Sequence, residues 1–212
     1  MMHFSRWAGV AVVLAALFGP FGPQTAAAED AQVDTSSVED MAIGNPDAPV
    51  TVIEYASFTC PHCAKFEADV FPELKKNYVD TGKVRFILRE VYFDRYGLWA
   101  SMVARCGGEM RFFGIGEMLF RDQREWLKGE DPTQIADNLR RIGRSAGLTD
   151  DQVNACLSDA KTAETLVAWY NENRAKDGID ATPTFLIDGD KHSNMSYDEF
   201  SQALDAKLGQ DG

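Results

Sequence analysis

Residues 50–91 hold two strand-like runs with a helix-like stretch between them, and this order constrains the fold more than any other feature of the chain. The first run, VTVIEYASF (50–58), is β-branched and aromatic, the composition of a buried strand. The stretch CPHCAKFEADVFPELKKNYVD (60–80) reads as a helix. Pro61 falls in its first turn, where a missing N–H costs nothing, and Pro72 falls where it should interrupt the helix. The tripeptide TGK then turns the chain into VRFILREV (84–91), a second strand. Strand, helix and strand in this order make a βαβ unit, so the expected architecture is α/β with a mostly parallel central sheet flanked by helices.

The middle of the chain breaks this pattern. Residues 98–173 contain helical periodicity interrupted by CGGEM, KGEDP and SAGLTDD, with no convincing strand. Asp131-Pro132 opens one helix and Thr149-Asp150 caps another. A block this long is no connection and reads as an inserted all-helical subdomain. Strand character returns in GIDATPTFLIDGDK, and Ser196 with Glu199 forms a capping box for a closing helix, YDEFSQALDAKL.

The N-terminus reads as a processing segment. Arg6 precedes an apolar run from Ala8 to Phe18, Pro20 and Pro23 follow, and TAAAED offers a cleavage site after about Ala28. This is the pattern of a secretory signal, and the run is shorter than the roughly 20 residues a membrane span needs. Residues 29–46 are polar and read as a flexible lead-in. The organisation expected is therefore a signal peptide at 1–28, a flexible segment at 29–46, an α/β domain made of 47–97 and 174–212, and a helical insertion at 98–173.

A formal net charge of −12 argues against nucleic acid or an anionic membrane surface as a partner. Hydrophobic residues at 45% allow an ordinary core without a structural metal. The four cysteines, Cys60, Cys63, Cys106 and Cys156, all lie beyond the signal segment. In an exported chain an even count permits disulfides. Cys106 and Cys156 lie in the helical block; a bridge between them would be structural, with two separate buried thiols or a second redox relay as the alternatives.

Cys60 and Cys63 admit three readings: half of a metal site, a structural bridge, or a redox pair. A structural zinc site wants four ligands, and only His62 and His192 could supplement these cysteines. A bridge closing so short a loop removes little chain entropy. The redox reading fits the location, because Cys60 opens a helix whose unpaired N–H groups and dipole favour a thiolate. His62, as an imidazolium, would neutralise that thiolate or donate to it, or else be a solvated surface side chain. A stabilised thiolate makes the disulfide form the stronger oxidant. Cys63, one turn further in, would resolve the mixed disulfide.

With these residues in place, APVTVIEYASFTCPHCAKF resembles the active-site region of the DsbA-like branch of the thioredoxin superfamily, the exported bacterial thiol–disulfide oxidoreductases. The similarity runs from about residue 47 through the mature chain and implies a thioredoxin fold with a helical insertion. It implies a cis proline at Pro183 in ATPTF, with Thr182 presenting its backbone to substrate and its hydroxyl to the sulfurs. The best-known oxidases of the family often carry valine at that position, and threonine is closer to the isomerase branch. The family also places a buried acid beneath the disulfide to shuttle the proton of the inner thiol, which points to Glu54. Relatives often pair that acid with a lysine on the next strand, where this chain has Arg85, Arg89 and Glu90. A solvent-facing Glu54 at a strand edge is the other reading.

The resemblance implies a periplasmic enzyme needing no cofactor or metal beyond its cysteine pair. Its partners would be unfolded or reduced exported proteins and a DsbB-like, quinone-linked membrane oxidase. Isomerases of the group carry a long N-terminal dimerisation domain, and the short lead-in here favours a monomer. Alternatives are an isomerase or reductase, or a metal-binding module using the two cysteines. Phe58 and Phe66 are either core or part of a shallow peptide-binding surface.

Overall fold

The strand run becomes β2 (Val50–Ala56), and VRFILRE becomes β3 (Val84–Glu90), paired with it in parallel over all seven residues. Five of the seven residues of each are buried, as expected of strands in the interior of a sheet. The computed structural model describes Met1 and residues 33–129 and 131–209. Apart from Met1, the segment read as a secretory signal lies outside the described residues.

Three elements connect β2 to β3. Helix α1 (Pro61–Asp69) ends one turn before Pro72, and α2 (Phe71–Leu74) restarts the chain before a π-helical turn at Lys75–Val79. The interruption falls where Pro72 removes a backbone donor and crowds the preceding turn. β1 (Met41–Ile43) precedes β2 in the chain and pairs antiparallel with β3. After the helices come β4 (Thr184–Ile187), antiparallel to β2, and β5 (Asp190–Ser193), antiparallel to β4. The strand order is β1-β3-β2-β4-β5.

Two expectations are corrected here. The sheet is not mostly parallel: only β2/β3 is, and the other three pairings are antiparallel. β4 and β5 are joined by the two residues Asp188 and Gly189, both with positive φ, and so short a loop can only make an antiparallel hairpin. The lead-in expected to be flexible as far as residue 46 contains β1. Its three residues bury little by themselves and owe their order to non-local partners. Arg89 on β3 donates to both Asp40 carboxylate oxygens, and Arg105 donates to the Glu39 carbonyl.

The helical block runs slightly longer than 98–173. Helix α3 (Arg95–Cys106) starts at a cap from Asp94, whose carboxylate accepts from the Tyr96 and Gly97 amides. There follow α4 (Glu109–Arg121), α5 (Gln123–Trp126), α6 (Pro132–Ser145), α7 (Asp150–Ser158) and α8 (Ala160–Asp177). Asp131 caps α6 and Thr149 forms a capping box with Gln152, as the sequence implied. Gly178, in the left-handed conformation, ends α8, and α9 (Tyr197–Leu208) closes the chain from the Ser196–Glu199 capping box.

Two cores meet at α1. One lies between the helical block and the sheet and contains Phe58, Leu119, Trp126, Leu139 and both Cys60 and Cys63. The other gathers Phe66, Phe86, Phe185 and Phe200 under α1 and α9, with the Phe66 and Phe185 rings 4.7 Å apart. Phe58 and Phe66 are therefore core, not peptide-binding surface. Cys106 and Cys156 are bonded to each other and tie α3 to α7 across 50 positions.

Candidate active site

Cys60 is the N-cap residue of α1, with extended backbone (φ −83°, ψ 119°) and a side chain that caps nothing. Its sulfur is thus free to lie over the start of the helix. Cys63 sits one turn further in, fully buried, while Cys60 retains 8% of its surface; both are free thiols. The outer sulfur is the one a partner can reach.

The loop containing Pro183 completes the site. The Thr182–Pro183 peptide is cis, and the Cys60 Sγ donates to the Thr182 carbonyl oxygen at 3.5 Å. Thr182 thus brings both its carbonyl and its side chain to the outer sulfur, from 122 positions away.

The two thiols are driven apart electrostatically. Cys60 is pulled down to about 5, first by the hydrogen bond from the Cys63 thiol and then by the Thr182 side chain and the backbone amides of Cys63 and His62. Burial opposes this and is outweighed. Cys63 is pushed far up, chiefly by burial and next by its hydrogen bond to Cys60, with the acidic neighbours Glu54 and Cys60 adding to the effect. At neutral pH the reduced pair therefore carries one thiolate, on Cys60, and one thiol, on Cys63.

Glu54 is 1% exposed, so the solvent-facing reading does not hold. Its Oε2 has no hydrogen-bond partner, and burial raises its carboxyl well above the usual range, with Glu67 and Cys60 adding to the effect. No cationic residue of β3 serves it. Arg89 is taken by Asp40, Asp177 and Tyr55, and Glu90 is paired with Arg105. Glu54 is thus a buried acid beside the inner thiol, held toward its protonated form and able to give up one proton.

His62 is placed differently from one of its expected roles. Its backbone amide faces the Cys60 sulfur, whereas its ring is exposed and makes no hydrogen bond to either sulfur. The ring stands between two grooves. One, of about 860 Å³, runs between α1 and the α4–α5 segment; the other, of about 410 Å³, is formed by residues 180–184 and 191–194.

Several residues at the site carry no motif. Glu67, one turn beyond Cys63 on α1, is half-buried, and burial with the nearby Glu117 raises it to about 8. Thr59 donates to Asp94, so the cap of α3 also holds the turn before Cys60. Gln123 reaches from α5 to the Phe58 and Cys60 carbonyls. Only the fold brings Gln123 and Asp94 to the cysteines, whereas Thr59 and Glu67 are chain neighbours of the pair that no motif marks. Among the described residues, no group of three or more His, Cys, Asp or Glu side chains is arranged to hold a metal ion.

The family model for thioredoxin matches residues 36–206. A solved structure of Wolbachia pipientis alpha-DsbA1 superposes with a TM-score of 0.74 at 32% identity, covering 81% of this chain and 92% of that one. The structure of oxidised BdbD from Bacillus subtilis gives a TM-score of 0.70 at 25% identity, covering 80% and 93%. A "Putative protein-disulfide oxidoreductase" from Rickettsia bellii is 38% identical over 173 residues, which are 80% of this chain and 64% of the relative. The chain thus spans a little under two thirds of the length of the Rickettsia relatives it matches. It belongs to the thioredoxin family, in the DsbA-like branch of thiol–disulfide oxidoreductases.

Proposed function

We propose that this protein is an exported thiol oxidase that places disulfides into reduced proteins of the periplasm. The observation that carries the reading is the opposed ionisation of its two cysteines, Cys60 lowered and Cys63 raised. The cycle begins from the Cys60–Cys63 disulfide. A substrate thiolate attacks the Cys60 sulfur, a substrate–Cys60 bond forms, and the Cys60–Cys63 bond breaks with its electron pair on Cys63. Cys63 takes a proton, for which Glu54 is the neighbouring donor. A second substrate thiolate attacks the substrate sulfur of the mixed disulfide and expels Cys60 as a thiolate. The substrate has lost two electrons and the cysteine pair has gained them.

Cys60 is a good leaving group because its thiolate is already stabilised, so exchange runs toward substrate oxidation. Thr182 and Pro183 would line the substrate chain beside the attacked sulfur. No cofactor or metal enters the cycle. Reoxidation falls to a DsbB-like membrane partner that passes the electrons to a quinone. Cleavage after about Ala28 would release the protein to the periplasm, and no helix among the described residues is long and apolar enough to cross a membrane.

The test is the redox equilibrium of the purified protein with glutathione, together with the oxidation state of Cys60 and Cys63 in cells. An oxidising equilibrium and a mainly oxidised cellular pool are expected. A reducing equilibrium with a reduced pool would assign the protein to isomerisation or reduction instead. Stoichiometric zinc or copper on the two cysteines would replace the redox reading altogether.

A further inference from the structure

Gln123 is a polar side chain with 6% of its surface exposed, set in the four-residue helix α5 of the helical block. Its Nε2 donates to the carbonyl of Phe58 at 2.9 Å and to the carbonyl of Cys60 at 3.0 Å. Two carbonyl acceptors at these distances require the NH₂ end of the amide, so its orientation is dictated by chemistry. Both amide protons are spent on the two carbonyls that bracket Thr59, immediately before the redox helix.

The Cys60 carbonyl also accepts the Ala64 amide at 3.2 Å, so it is held from two directions. Fixing the carbonyls of residues 58 and 60 fixes the peptide planes between them. Those planes place the Cys60 sulfur against the amides of His62 and Cys63 and against Thr182. The donor itself is well braced. Asn138 of α6 holds the Trp126 and Lys128 carbonyls behind α5, and the Trp126 indole donates to the Leu119 carbonyl at 2.8 Å.

We infer that Gln123 is a positioning residue for Cys60, through which the inserted helical block sets the placement and thiolate character of the attacked sulfur. The inference rests on the reading of Cys60 as the redox nucleophile. A merely structural amide would stabilise the oxidised and reduced proteins alike. A positioning amide favours the state with the thiolate, because its two N–H dipoles point at the turn that carries the sulfur.

The experiment compares wild type with Gln123→Met, which keeps the shape and removes both donors, and Gln123→Glu, which replaces them with oxygen acceptors. Cys60 ionisation is followed by thiolate absorbance, and the glutathione equilibrium is measured in parallel. Q123M is expected to raise the Cys60 midpoint by about one unit and to make the protein roughly tenfold less oxidising. Q123E is expected to shift both quantities further in the same direction. If Q123M does not fold, Gln123→Asn is used; it retains the NH₂ one methylene short of both carbonyls and should shift both readings in the same direction, by less. Variants that melt at lower temperature while both readings stay within twofold of wild type would overturn the inference. An ordinary thiol midpoint in the wild type would instead overturn the redox reading on which it stands.

Discussion

The guanidinium of Arg105 donates to both oxygens of the buried Glu90 carboxylate, at 2.6 Å from Nε and 2.7 Å from Nη2. The pair fastens the last turn of α3 to the end of β3, with the Arg105 group also lying over the Trp169 ring. Removing only one partner leaves a buried charge without compensation. Arg105→Met should therefore cost about 3–5 kcal/mol in urea denaturation, and Glu90→Leu in the same protein should recover much of it. Equal stability of the single and double variants would contradict this.

The ionisation of Cys60 predicts a pH dependence confined to the reduced protein. Its thiol titrates near 5 in the folded state against 9.0 ordinarily, so unfolding between those values takes up a proton. Stability from this group is fully present above about pH 9 and is lost as pH falls through about 5. Denaturation midpoints of reduced and oxidised protein, measured from pH 4 to 9, should diverge as pH rises. Cys63→Ala removes the largest cause of the lowering and should raise the Cys60 midpoint, whereas Cys63→Ser, which keeps a donor, should raise it less.

Glu54 carries an acid where an apolar residue would pack, so stability and rate should separate. Glu54→Leu removes an orphaned carboxyl oxygen and is expected to stabilise the protein by about 1–3 kcal/mol. Glu54→Gln keeps the shape without a transferable proton. Both variants should slow reduction of the disulfide by substrate in stopped-flow traces, with Cys60 ionisation still well below an ordinary thiol. An unchanged rate would remove Glu54 from proton transfer.

The Cys106–Cys156 bridge closes a loop with a separation of 50 residues. Chain-entropy reasoning assigns such a cross-link roughly 4 kcal/mol. The double variant Cys106→Ser/Cys156→Ser should lose about that much in chemical denaturation and still exchange disulfides through Cys60. Loss of exchange in a folded double variant would give the second pair a redox role.

What the sequence disclosed was whatever local spacing encodes. VTVIEYASF, the Cys-Pro-His-Cys turn and the caps at Asp131, Thr149 and Ser196 all act within a few residues, and each could be read directly. β1 could not, because Met41–Ile43 is ordered only by β3 and by Arg89 reaching Asp40. The same long-range geometry hid the environment of Glu54. Arg89 stood, with Arg85 and Glu90, where relatives place a lysine, but its guanidinium is directed to Asp40 and Asp177. Gln123 was least legible of all: a glutamine among helical residues has no pattern until the fold puts two carbonyls within its reach.

The sheet ends on β5, four residues long and exposed at Asp190, Lys191 and Ser193. Lys191 is tied to the Gly178 carbonyl and Asp190 to Lys207, so the charges on this rim are held in place. On the function proposed above, the clients would be reduced, unfolded chains, whose extended segments look for a strand to join. A long bare rim would hold such a client after its cysteines had been joined. This one offers few rungs to grip and charged flanks to meet, so under the proposed function a client would be free to leave once its cysteines were joined. The short hairpin that upset the expectation of a mostly parallel sheet would thereby also favour turnover.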